Sequence, residues 1–128
     1  MIKKITTFLP LILLSSFLSA ANFPDISVED LQKAISAKEV AVIDVNGPNS
    51  YSKGHIPGAI EFSSQKETLK TLLPKDKNTL VVAYCGGPSC RAYLRGAKAA
   101  AELGYKNVKH LSAGISGWKK SGNKVSKK

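Results

Sequence analysis

Cys85 and Cys90 are the only thiols in the 128 residues, and they bracket the segment Gly86-Gly87-Pro88-Ser89, with Arg91 immediately after it. A cysteine becomes a nucleophile when positive charge or oriented backbone amides stabilise its thiolate. Both devices are written around Cys85. Thr79-Leu80-Val81-Val82-Ala83-Tyr84 before it is a short apolar, β-branched run, the pattern of a buried parallel strand. From Arg91 the chain turns to strong helix formers, which end at Gly104, a good residue for closing a helix. Strand, glycine-rich loop and helix in that order put the thiol in a cradle of backbone N–H groups at the positive end of a helix. The expected result is a depressed thiol pKa. Gly86 and Gly87 allow close backbone approach to an anion, Pro88 stiffens the loop, and Ser89, Cys90 and Arg91 complete a substrate-binding loop. Arg91 faces either that anion or solvent.

The remaining elements must hold this loop in place. Ser27 is an N-cap with Glu29 and Asp30 in the first turn, and Leu31, Ala34 and Ile35 form the apolar stripe of a helix reaching Ala37. Val40–Val45 reads as a strand, and Asn46-Gly47-Pro48-Asn49-Ser50 as a turn. Gly54–Ala59 is a second turn leading to a brief strand at Ile60–Phe62. Gln65–Leu73 reads as a helix closed by Pro74. Val108–Leu111 is the last strand, and Ala113-Gly114 turns into a short helix around Ile115–Lys120. Strands alternating with helices at this spacing predict an α/β fold: a central parallel β-sheet flanked by helices on both faces. Ligand sites in such sheets lie beyond the carboxyl ends of the strands, where Cys85 and Asp44 both fall.

Residues 1–21 are expected to be a signal peptide. Lys3 and Lys4 precede an apolar stretch from Ile5 to Leu18, and Ser19-Ala20-Ala21 supplies small residues for cleavage after Ala20 or Ala21. The apolar stretch is short and polar for a membrane span. A retained anchor is the alternative; otherwise no membrane association is expected after cleavage, and the location is periplasmic or secreted. Residues 22–128 then form one domain, with no repeats and no linker, large enough to bury a core. Loss of Lys3 and Lys4 takes the formal charge from +10 to +8. Lys119, Lys120, Lys124, Lys127 and Lys128 crowd the end. Without interleaved aromatics this basic tail, from about residue 120, does not read as a nucleic-acid site. It is expected to be solvated and frayed.

In an oxidising compartment two cysteines invite a disulfide. A bridge closing so short a loop restrains little of the unfolded chain, so the pair is read as chemical rather than structural. Two Cys and two His match no common zinc spacing, and no metal or other cofactor is expected.

Three ordered motifs resemble the rhodanese-like domain family. They are Asp44-Val45 with Tyr51 and Gly54-His55-Ile56-Pro57-Gly58-Ala59; Tyr84-Cys85 before its glycine-rich loop; and Gly104-Tyr105-Lys106-Asn107-Val108 with Ala113-Gly114-Ile115-Ser116-Gly117-Trp118. The loop itself resembles an exported single-domain subgroup reading Cys-Gly-Gly-Pro-x-Cys. The resemblance implies a sulfurtransferase: Cys85 takes a sulfane sulfur from thiosulfate, polysulfide or a persulfide, holds it as a persulfide, and passes it to a thiophilic acceptor. Its partners would be a small sulfur-containing anion, a thiol acceptor, or a periplasmic thiol protein. Cys90 is then a passive residue, a resolving thiol that attacks the Cys85 persulfide, or half of a protective bridge. Asp44 and His55 are supporting residues, Asp44 fixing a turn and His55 a structural hydrogen-bonder. Asn46 and Ser50 stand where the family commonly carries Arg and Glu, the loss of one ion pair rather than a damaged site. The loop is a residue or two longer than the common form, and because loop size sets which group fits, this argues against ordinary thiosulfate:cyanide activity. Two alternatives stay open. Cys85 with Arg91 also fits a cysteine phosphatase or arsenate reductase-like oxyanion enzyme. The Cys85/Cys90 pair also fits a non-enzymatic redox or sulfur-binding module.

Overall fold

Val40–Asp44 (β1) and Leu80–Tyr84 (β3) are rich in β-branched residues and flanked by turn formers, and they pair as the two central strands of the sheet. The computed structural model describes residues 23–128. Its sheet has the order β2-β1-β3-β4, with Ile60–Glu61 (β2) and Val108–Leu111 (β4) at the edges, and every pairing is parallel. Parallel neighbours need crossover helices, and these cover both faces. The fold is a single α/β domain. Alternation along the strands sorts the core. Ile43, Val81 and Ala83 point to one face and pack under Leu69, Leu73, Ala97 and Ala100. Val42, Val82 and Tyr84 point to the other and pack with Leu31, Ile56 and Trp118.

The first helix, Val28–Ser36 (α1), starts where Ser27 accepts the Asp30 amide at 3.0 Å, an N-cap of about 1 kcal/mol. The helix after the central strand, Tyr93–Glu102 (α5), begins two residues later than the composition suggests. Leu94 and Arg95 bond back to Arg91 and Ala92, so the chain enters α5 through a tight turn. The final helix, Gly114–Lys120 (α6), buries Trp118.

Two expectations between β1 and β3 change. Pro48–Lys53 is a short helix (α2) rather than part of a turn, because Pro48 sits at the first helical position, where its fixed φ and missing amide cost nothing. The helix expected over Gln65–Leu73 begins earlier and is broken. Glu61 accepts the Ser63 and Ser64 amides and so starts a helix at Phe62–Gln65 (α3). A 3₁₀ turn follows at Lys66–Thr68, then Leu69–Leu72 (α4). The Thr68 and Thr71 hydroxyls donate to the carbonyls of Gln65 and Thr68, competing with a continuous ladder.

The basic tail is docked rather than frayed. Ser126 and His55 exchange both backbone hydrogen bonds, at 3.0 and 2.9 Å, Val125 packs against the second core cluster, and the Trp118 indole donates to the Lys124 carbonyl at 2.9 Å. The lysine side chains stay in solvent while the backbone forms a bridge. Residues 1–21, read as a signal peptide, lie outside the described residues, and no described helix is long and apolar enough to cross a membrane.

Candidate active site

Cys85 follows β3 directly and lies at the carboxyl end of the sheet's interior, as its place in the sequence requires. The loop it opens is braced from α6. Ile115 donates its backbone N–H to the Cys85 carbonyl at 2.9 Å, and Ser116 donates to Gly86 at 3.1 Å. Inside the loop the Cys90 amide donates to Gly87 at 3.0 Å. Among the described residues, the amides of Gly86, Gly87, Ser89 and Arg91 donate to no protein group. Pro88 has no amide, so these are the loop's available donors for an anion.

Cys85 and Cys90 are joined in a disulfide, with their Cα atoms 6.2 Å apart. Cys85 is only 3% exposed, whereas Cys90 and the two glycines are half-buried and Pro88, Ser89 and Arg91 are exposed. In this state Cys90 covers the thiol that the sequence marks as the nucleophile. Arg91 reaches solvent and makes no ion pair among the described residues.

A buried polar chain supports the strand end just before Cys85. The Tyr84 hydroxyl donates to Asp44 Oδ2 at 2.5 Å and accepts the Ile56 amide at 3.0 Å. Asp44 Oδ1 accepts the Asn46 amide at 2.7 Å, which fixes the turn after β1. Burial pushes the Asp44 carboxyl above its ordinary range, against the opposing effects of the Tyr84 and Asn46 hydrogen bonds. Tyr84 is likewise raised, by burial and by the neighbouring Asp44 charge, so its phenol stays a donor. His55 stacks on Tyr51, with ring centroids 3.6 Å apart, and its Nδ1 donates to the Tyr51 carbonyl at 2.7 Å. Asp44 thus reaches the loop through Tyr84, while the bonds of His55 go to Tyr51 and Ser126, away from the thiols.

Two participants escape a reading of the sequence. Tyr84 looks like one more apolar strand residue, yet its hydroxyl ties β1, β3 and the 54–59 turn together. Gly114 looks like a turn residue, yet a Cβ there would lie 2.5–2.6 Å from the backbone of Gly86 and Gly87, and its φ is +61°. Only glycine lets α6 approach close enough to brace the loop.

A parallel sheet of this order, covered on both faces and carrying a cysteine-headed loop beyond its central strand, defines a class of small α/β domain built around one thiol. The chain belongs to the rhodanese-like domain family, which it matches over residues 27–121. The thiosulfate sulfurtransferase GlpE of Shewanella oneidensis is 33% identical over 101 residues, spanning 77% of this chain and 94% of that protein. Arsenate reductase 2.1 of Oryza sativa subsp. japonica is 35% identical over 125 residues, 86% of this chain and 71% of that protein. Among solved structures, the thiosulfate sulfurtransferase of Pseudomonas aeruginosa superposes with a TM-score of 0.67 at 24% identity, over 82% of this chain and 20% of that one, a likeness of fold.

Proposed function

We propose that this protein is an exported sulfurtransferase in which Cys85 carries a sulfane sulfur and Cys90 resolves the intermediate. Two features support the reading: a cysteine at the carboxyl end of the central strand, in a loop with unengaged amides, and a second sulfur within bonding reach of the first. The cycle starts from the reduced form, which a thiol or dithiol reductant produces by opening the bridge. The Cys85 thiolate attacks the sulfane sulfur of a donor, the donor's own sulfur–sulfur or sulfur–sulfonate bond breaks, and the leaving group departs with the electron pair. The persulfide anion is then held by the loop amides. It has two exits. A thiophilic acceptor takes the outer sulfur and restores the Cys85 thiolate. Alternatively the Cys90 thiolate attacks the Cys85 sulfur of the protonated persulfide, hydrosulfide leaves, and the Cys85–Cys90 disulfide closes. The second exit consumes one dithiol, or two thiols, per turnover, and a thiol protein of the same compartment is the reductant this reading assigns to it. Export rests on residues 1–21 acting as a signal peptide.

A second reading follows from the rice relative: an oxyanion enzyme, phosphatase or arsenate reductase-like, with Arg91 holding the oxyanion. Intact-mass measurement separates the two. Reduced wild type treated with thiosulfate or polysulfide gains the mass of one sulfur atom and Cys85→Ser gains none; Cys90→Ser loads sulfur but no longer releases hydrosulfide with bridge formation. Absence of added sulfur, together with turnover of an aryl phosphate or arsenate, replaces the first reading by the second.

A further inference from the structure

Beside the loop lies a cleft of about 230 Å³ lined by Val45, Asn46, Gly47, Phe62, Ser63, Lys66 and Arg95. It adjoins the start of the loop that Cys85 opens. Val45 stands level with Cys85 across the β1–β3 pairing, its amide bonded to the Tyr84 carbonyl at 2.9 Å. Asn46 Oδ1 is 3.9 Å from where a Cβ on Gly86 would be, so Asn46 is the wall shared by cleft and loop. The cleft's charge is one-sided. Lys66 and Arg95 line it, no carboxylate does, and neither cation is ion-paired among the described residues. Three acids adjoin the lining residues in sequence, and none lines the cleft: Glu61 spends its oxygens on the amides of Ser63 and Ser64 and on the Ser63 hydroxyl, Asp44 accepts from Tyr84 and Asn46, and Glu67 is exposed outside it. Phe62 and Val45 give the same cleft an apolar wall.

A water occupies about 30 Å³ in the liquid, so the cleft exceeds what a five-heavy-atom thiosulfate would fill. Apolar wall and paired cations together fit an organic group that ends in carboxylate. We infer that this cleft is the docking subsite for a carboxylate-bearing organic persulfide or thiol, with Arg95 and Lys66 holding its carboxylates and the sulfur directed past Asn46 to Cys85. The inference rests on the sulfurtransferase reading and specifies its substrate class. In the transfer, the Cys85 thiolate attacks the outer sulfur of R–S–SH. The Cys85–sulfur bond forms, the donor's S–S bond breaks, and the organic thiolate leaves with the electron pair and remains paired with the two cations.

The test compares two donors of similar size, the persulfide of mercaptosuccinate and that of its dimethyl ester, on the pre-reduced full chain, with sulfur loading of Cys85 followed by intact mass. Wild type should load from the dicarboxylate roughly tenfold faster at low salt, with the preference shrinking as ionic strength rises. The double variant Arg95→Gln/Lys66→Gln should lose the preference while keeping its rate with the ester. Lys98→Gln/Lys106→Gln, which removes the same charge outside the cleft, should keep the preference. Equal rates in wild type, a preference that survives in Arg95→Gln/Lys66→Gln, or one lost equally in Lys98→Gln/Lys106→Gln overturns the subsite alone. No loading from either donor overturns the sulfurtransferase reading and the subsite with it.

Discussion

Gly114 and Gly86 are packed backbone to backbone: a Cβ on Gly114 would lie 2.5 Å from the Gly86 carbonyl carbon and 2.6 Å from its oxygen. That approach lets Ile115 and Ser116 hold the carbonyls of Cys85 and Gly86 and leaves the loop's own amides free. Gly114→Ala adds both this overlap and a strained positive φ. It should destabilise the fold by roughly 1–3 kcal/mol, since the contact is with backbone that cannot rotate away. Sulfur loading of Cys85 should fall by at least about tenfold, because the displaced loop misaligns its donors. Thermal unfolding and intact mass check the two effects separately; a variant with unchanged melting and loading removes the brace from the account.

Gly96 plays the matching role on the opposite face. A Cβ there would stand 2.9 Å from Val45 Cγ2 and 3.0 Å from Ile43 Cγ2, so α5 lies directly on β1. Gly96→Ala should cost about 1–3 kcal/mol through overpacking. Here the obstruction is a side-chain methyl, and it can be cut back. Gly96→Ala/Val45→Ala should therefore lose less stability than the sum of the two single variants, with a coupling above about 0.5 kcal/mol in chemical denaturation. Strict additivity contradicts the close packing.

The strands and their parallel arrangement, the place of Cys85 and the helical cover on both faces were legible because they rest on local signals: β-branched runs, strong helix formers, a cap at Ser27. What stayed hidden depends on contacts far apart in sequence. The Asp44–Tyr84 bond links residues 40 apart, and the Ser126–His55 bridge sets the tail against a turn some 70 residues earlier. Lysine-rich composition argued for a solvated tail, and the lysine heads are indeed exposed. Composition says nothing of the backbone, which found unpaired partners beside His55. The loop's chemistry was readable from Cys85 through Arg91, whereas the cleft gathers residues from three separate segments that no spacing rule connects.

The tail's contacts carry stability of their own. Removing residues 123–128 deletes both His55–Ser126 bonds and the Val125 packing, and it strips the buried Trp118 indole of its acceptor. An unsatisfied buried donor alone costs roughly 1–3 kcal/mol. The truncated protein should melt about 5–15 °C lower, given the usual sensitivity of a domain this size. It should still load sulfur on Cys85, since the tail's hydrogen bonds go to His55, Ser52 and Trp118 and none goes to the loop. Equal melting temperatures would show the tail to be an idle strand.

Acid should act on the fold through two carboxyls of opposite sign. Burial alone would raise Glu61, but the hydrogen bonds from Ser64 and Ser63 outweigh it and hold the carboxyl below its ordinary value. Its contribution is present above the unfolded carboxylate range and is lost as pH falls through the lowered folded value. Asp44 is raised, so its ionised form burdens the fold at neutral pH and that burden lifts as pH falls through the raised value. Glu61→Gln should lose about 1 kcal/mol at neutral pH, with the difference from wild type shrinking as pH falls from the unfolded carboxylate range through the lowered folded value. Asp44→Asn should compare best with wild type at neutral pH and progressively worse toward acid. Melting temperatures of the three proteins between neutral and acid pH would expose parallel curves, which contradict both assignments.

Cys90 is half-buried and Cys85 is 3% exposed, an asymmetry that fixes which sulfur a reductant meets first. Thiol–disulfide exchange requires the incoming thiolate to approach one sulfur while the other leaves with the electron pair. Approach from solvent reaches Cys90. The leaving sulfur is then Cys85, beside the free amides of Gly86 and Gly87, which favour its thiolate. Reduction by a small monothiol, quenched with acid and alkylated, should therefore place the mixed disulfide on Cys90 and the alkyl group on Cys85, by roughly tenfold or more over the reverse. Peptide mapping by mass spectrometry reads the two products directly. The same polarity returns Cys85, rather than Cys90, as the first free thiolate, ready for the sulfur donor while Cys90 is still held by the reductant. The reverse distribution would mean that the bridge opens from the buried side, and the loop amides would then have no part in its reduction.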